Sequence, residues 1–110
     1  MRNSFIGSIV MIGVVVGNAN AQDVDLAHLS LVAGYKAAFT CSGYFNAGRS
    51  PEQIAGDELN RIYPDYRDAM AALPDAVIDE VAKTVSVAYA DDAVRIAEWR
   101  PRLGCVQYPT

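Results

Sequence analysis

Cys41 and Cys105, the single histidine His28, and the serines Ser30, Ser42, Ser50 and Ser86 are the side chains beyond residue 21 that could attack, coordinate or cross-link. Two thiols can serve as nucleophiles, as metal ligands or as a disulfide. Their spacing of 64 positions contains no Cys-x-x-Cys, and a tetrahedral zinc site takes four ligands. One histidine with two cysteines falls short of that set unless several carboxylates join. His28 therefore reads as a surface or partly buried helix residue. An even cysteine count in an exported chain favours a Cys41–Cys105 disulfide, with two buried free thiols as the alternative.

The serines lack partners. A serine activated by a lysine one helical turn on needs Ser-x-x-Lys, and none of the four has lysine at the third following position. No Gly-x-Ser-x-Gly elbow and no glycine-rich phosphate loop is present. Tyr44-Phe45-Asn46 and Lys83-Thr84-Val85 resemble Tyr-x-Asn and Lys-Thr-Gly, two auxiliary motifs of penicillin-recognising enzymes, but Val85 stands where glycine belongs. Without the nucleophile these read as chance matches. The carboxylate pairs Asp57/Glu58 and Asp91/Asp92 fall on a helix face and in a turn, where solvation accounts for them. The residues thus nominate no catalytic, cofactor-binding or metal-binding side chain.

The compartment follows from the first 21 residues. Met1-Arg2-Asn3-Ser4 is a short basic leader, Phe5 to Gly17 is apolar or small, and Ala19-Asn20-Ala21 offers small residues to a signal peptidase. Cleavage is expected between Ala21 and Gln22, placing the mature chain in the periplasm or outside the cell. The apolar run is well below the roughly 20 residues that span hydrocarbon, so no stable membrane span is expected after cleavage. Residues 22–110 then carry 8 basic and 13 acidic side chains, a net of −5. An acidic domain makes a poor nucleic-acid partner, because phosphate affinity comes from clustered Lys and Arg. Arg95, Arg100 and Arg102 are the local exception and read as a solvated edge.

Helices come first. Leu26, Leu29, Ala33 and Ala37 recur at helical spacing over 26–39, with Leu31, Tyr35 and Ala38 beside them and Gly34 weakening the run. Cys41 is then at or just beyond a helix end, followed by irregular backbone through Gly43 and Gly48. Ser50, Pro51 and Gln53 form a capping-box start, which predicts a helix over 51–61 with Ile54, Ala55, Leu59 and Ile62 inward and Glu52, Asp57, Glu58 and Arg61 outward. A short third helix over 65–73 would turn Tyr66, Met70 and Leu73 inward.

From Val77 onward the period changes to two. Val81, Val85, Val87 and Tyr89 alternate with smaller or polar residues, Asp91-Asp92 suits a turn, and Val94 and Ile96 face away from Arg95, Ala97 and Trp99. An antiparallel hairpin of 81–89 with 93–100 follows. The expected fold is α+β: two to three N-terminal helices packed on a C-terminal hairpin, with one disulfide. At this length such a domain buries only about 60 to 65% of its unfolded surface, so a covalent staple would matter.

The stretch Ala38-Phe39-Thr40-Cys41-Ser42-Gly43-Tyr44-Phe45-Asn46-Ala47-Gly48-Arg49-Ser50-Pro51-Glu52, with Trp99-Arg100-Pro101-Arg102-Leu103-Gly104-Cys105, resembles the N-terminal region of exported bacterial serine hydrolases of the β-lactamase-like superfamily. There, Cys-Ser-x-x-Phe-x-x-Gly-Arg and Tyr-Arg-x-x-Leu-Gly-Cys precede the catalytic domain, and Trp99 stands here in place of the tyrosine. The resemblance implies a leading domain of an enzyme that hydrolyses amides or esters. Its Ser-x-x-Lys lies downstream of the Leu-Gly-Cys segment in that family, whereas this sequence runs to Thr110, so only the paired cysteines carry over. The expectation is a non-catalytic leading domain, either truncated or completed by a catalytic domain encoded downstream or in trans. A free-standing exported binding or inhibitory module, gripping its partner through Tyr44, Phe45, Trp99 and Tyr108, is the alternative.

Overall fold

A computed structural model describes residues 25–57, 59 and 62–109. The export signal expected over 1–21 lies outside them, as do Glu58 and Arg61. The fold is α+β: three helices precede a four-stranded antiparallel sheet in the simple order β1-β2-β3-β4.

Helix α1 covers residues 25–41. Its buried positions, Val32, Ala33, Gly34, Lys36, Ala37, Thr40 and Cys41, step by four with neighbours beside them, which is the stripe a helix lays on a sheet. Leu31 and Tyr35, read from spacing as flanking that stripe, are exposed. After Cys41 the backbone widens into a π turn, Ser42–Asn46, in which the Ala47 N–H donates to the Ser42 carbonyl five residues back at 3.1 Å. That extra residue per turn takes the following side chains out of α register. Gly48, at φ +67, ends the segment in the left-handed conformation that glycine adopts without penalty.

Helix α2, Pro51–Asp57, starts on the expected capping box: the Gln53 N–H donates to Ser50 Oγ at 3.2 Å and the Ser50 N–H to Gln53 Oε1 at 3.0 Å. It is shorter than the 51–61 expected. Leu59 is no longer α-helical, and Gly56 weakens this last turn. Ile54, Leu59 and Ile62 are buried, whereas Ala55 is exposed. Pro64 starts α3, Pro64–Ala72, because a proline at the first helical position gives up no bond. Met70 and Leu73 are buried and Tyr66 half-buried.

The sheet is larger than a hairpin. β1 (Val77–Asp79), β2 (Thr84–Ala90), β3 (Ala93–Arg100) and β4 (Gly104–Gln107) form a meander. Val81, expected in the strand, is 96% exposed in the turn between β1 and β2. The turn is held by Asp79 Oδ1, which accepts from the N–H groups of Val81 and Ala82, both at 3.0 Å. Such an aspartate turn competes with strand extension. Lys83 completes it at φ +60. Val85 pairs with Ala97, Val87 with Arg95 and Trp99 with Cys105, so these side chains share the face toward the helices. Tyr89 is the extra residue of a bulge between Ala88 and Ala90.

Arg95 is no solvated edge. Its Nη1 donates to the Ser30 carbonyl at 3.1 Å and Oγ at 3.3 Å, and its Nη2 donates to Gln107 Oε1. Gln107 Nε2 in turn donates to the Gly34 carbonyl at 3.0 Å. The guanidinium lies flat against α1 at Gly34, where a Cβ would stand 3.0 Å from the Arg95 Cζ. Glycine in mid-helix normally costs about 1 kcal/mol against alanine, yet here it opens the berth for the arginine. Gly34→Ala is therefore expected to destabilise by about 1–3 kcal/mol through overpacking, against the usual helical trend. Urea melts read this directly. In a double-mutant cycle, Arg95→Ala should restore alanine's ordinary helical advantage.

Candidate functional site: the disulfide junction

The two stretches that carry the family resemblance come together at the end of α1. Cys41 and Cys105 are disulfide-bonded, with Cα atoms 6.2 Å apart, and no free cysteine remains among the described residues. Cys41 is fully buried as the last α-helical residue, and Cys105 lies in β4 beside Trp99. The bridge joins the first helix to the last strand.

The π turn then delivers Tyr44, Phe45 and Asn46 to the same place. Trp99 Nε1 donates to Asn46 Oδ1 at 2.7 Å, and the Phe45 and Trp99 rings lie 6.5 Å apart. Tyr44 meets Phe45 edge to face at 5.0 Å. Gly104, at φ +79, passes close to Asn46, whose Nδ2 would stand 3.5 Å from a Cβ there. Arg49 reaches forward to an ion pair with Asp57 of α2. Local structure thus accounts for several residue types in the two stretches. The cysteines tie, Gly48 and Gly104 take positive φ, the aromatic rings pack edge to face or tilted, and Arg49 braces the next helix.

The two motif echoes converge here as well. Lys83 Nζ stands 5.5 Å over the Phe45 ring, a cation–π contact. The Trp99 N–H donates to the Lys83 carbonyl at 2.8 Å. The Tyr44 hydroxyl donates to Glu80, and that bond, with lesser contributions from desolvation and the carboxylate's charge, raises the phenol above its ordinary 10.0. A tyrosine held in its neutral form makes a poor base at neutral pH. The arrangement packs and orients; it does not activate a nucleophile.

The remaining sequence candidates scatter. His28 packs against Tyr66, ring centroids 5.7 Å apart. Asp91 and Asp92 are exposed in the turn between β2 and β3. Among the described residues no group of His, Cys, Asp and Glu is placed to hold a metal ion, and no helix is long and apolar enough to cross a membrane. Of the four aromatics expected as a gripping patch, Tyr44, Phe45 and Trp99 are half-buried in this junction. Tyr108 lies on the far side of β4, donating to Glu98, which raises the phenol and, together with Arg100, lowers the Glu98 carboxyl. The exposed apolar run is elsewhere: Leu31, Tyr35 and Phe39 along α1, with Tyr35 stacked on Phe39 at 6.0 Å. Their i, i+4, i+8 spacing is the signal that marks it in sequence.

Two measurements test the junction. The bridge closes a loop of 64 positions, which in the chain-entropy model stabilises by about 4 kcal/mol as an upper figure. Reduction with dithiothreitol, or the pair Cys41→Ala and Cys105→Ala, should lower the melting temperature by well over ten degrees for a domain of this size, and an unchanged melt would count against the bridge. In an ultraviolet titration, Tyr44 and Tyr108 should ionise later than 10.0. Raised folded-state phenols stabilise below the unfolded value, and that contribution disappears as pH climbs through the raised ones. The lowered Glu98 contributes above 4.5 and loses its contribution as pH falls through its depressed value. No protein-family model, curated protein or solved structure matches the chain.

Proposed function

We propose that the chain is the exported, non-catalytic leading domain of a β-lactamase-like serine hydrolase acting on amides or esters. One observation carries this reading. The Cys-Ser-x-x-Phe-x-x-Gly-Arg stretch, here Cys41 to Arg49, and the Leu103-Gly104-Cys105 stretch lie far apart in the chain yet meet residue against residue around one disulfide. The disulfide gathers both stretches into one structural unit, which is the arrangement the reading requires.

Three further points support it. Disulfides persist in oxidising compartments, which agrees with an export signal over residues 1–21. None of the 110 residues provides a Ser-x-x-Lys, so the nucleophile would belong to another domain. The exposed line of Leu31, Tyr35 and Phe39 is the kind of surface a domain presents when it lies beside a second one.

The protein mixed or co-expressed with a Ser-x-x-Lys catalytic domain that lacks its own leader should form a stable complex. That complex should hydrolyse a p-nitrophenyl ester faster than the catalytic domain alone, while this chain alone stays at the buffer rate. No complex and no gain in rate would remove the reading. Esterase activity of this chain by itself would overturn its non-catalytic part.

A further inference from the structure

Residues of α1, α2 and α3 and of the segment entering β1 line an open pocket of about 490 Å³. That volume lies within the range of small-molecule sites. Its walls are Leu59, Met70, Leu73 and Ile78, and at its floor are Lys36 and Thr40. Both floor residues are withdrawn from solvent, Lys36 at 8% and Thr40 at 4% exposure. The mouth carries Glu52, Arg67 and Asp75, all exposed.

Lys36 is the unusual element. An ammonium has three N–H donors and no acceptor. Here Nζ is directed at the Met70 carbonyl at 3.5 Å and the Leu73 carbonyl at 3.4 Å, where α3 ends. Both distances exceed the ordinary N–H···O range of about 2.7–3.2 Å. No carboxylate among the described residues forms an ion pair with it. Burial lowers its pKa, and the charge of Asp75 offsets this only in part. Buried cations are ordinarily paired or fully hydrogen-bonded, and this lysine, with two long bonds and only the through-space charge of Asp75 opposite it, has donors to spare for an anionic partner.

We infer that this cavity binds a small apolar carboxylic acid as its anion, with the carboxylate on Lys36 Nζ and the Thr40 hydroxyl and the hydrocarbon body against Met70, Leu73 and Ile78. The chemistry selects that class. A compact inorganic anion would leave the apolar walls unfilled. A neutral apolar molecule would leave the ammonium as unpaired as before. A cation would be repelled by Lys36. This site is independent of the hydrolase reading: none of Cys41, Tyr44, Phe45, Asn46, Trp99 and Cys105 lines it, and it requires no second domain.

Sodium hexanoate and its neutral isostere hexanamide, titrated separately into the disulfide-bonded protein at neutral pH and followed by methyl NMR, test the proposal. Hexanoate should shift the Met70, Leu73 and Ile78 methyls saturably and bind at least about tenfold more tightly than hexanamide, as a charge-assisted bond to a buried ammonium requires. Lys36→Met, which keeps the side-chain volume, should bring hexanoate down to the level of the amide. Equal binding of acid and amide by the unaltered protein would overturn the inference. So would saturable shifts confined to other residues, or none at all. If Lys36→Met does not fold, the comparison of acid with amide on the unaltered protein still decides.

Discussion

How closely α1 approaches the sheet sets nearly everything else in this domain. Ala33, Gly34 and Ala37 give the helix a thin side, and Val85, Val87 and Ala97 give the sheet a shallow one. Thin faces bury little area per residue, and the hydrophobic term scales with area. The contact is therefore reinforced by other means: the Arg95 guanidinium against Gly34, the Gln107 amide on the Gly34 carbonyl, and the disulfide at the helix end. The larger apolar side chains, Ile54, Leu59, Ile62, Met70 and Leu73, sit to one side, under α2 and α3. Small side chains thus make the helix–sheet contact and larger ones fill the rest of the same core. The pocket with Lys36 at its floor opens beside those larger side chains.

Much of the architecture was legible because local chemistry and tertiary packing agree. Ser50, Pro51 and Gln53 start α2 as their side chains require, and the alternation of Val85, Val87 and Tyr89 survives as the inner side of β2. The outer strands were not legible, for a physical reason. β1 has three residues and β4 four, too short to display a period, and each is a strand only because its neighbour offers a free edge. Val81 misled because its hydrophobicity fits a strand while the carboxylate of Asp79 two residues earlier captures the backbone N–H groups that the strand would need. Gly34 misled in the opposite direction. Its reason lies 61 positions away at Arg95, where no local rule reaches.

The sites divide along the same line. The disulfide could be read from cysteine count and export context, and its neighbours from the resemblance. Arg95 could not, because a solvated arginine and one clamped between Ser30 and Gln107 look alike in sequence. Lys36 was equally silent. It occupies a position on the inner stripe of α1 where an apolar residue is expected, and that mismatch becomes meaningful only once the ends of α3 and β1 are seen to enclose it.

The path of the disulfide also bears on how the chain reaches this state. The sheet is a meander whose strands each pair with the next in sequence, so its hairpins can form from near neighbours at small entropic cost. Helix α1 has no such short route. Its nearer ties reach α3, through Lys36 on the Met70 and Leu73 carbonyls and His28 against Tyr66, while those to Arg95, Cys105 and Gln107 lie more than 60 positions away and exist only after the last strand has been made. A chain synthesised from its N-terminus therefore carries α1, with Cys41 reduced, at least until Cys105 has been made. Packing against Val85, Val87 and Ala97 covers the thin side of the helix, and the disulfide then fixes that contact.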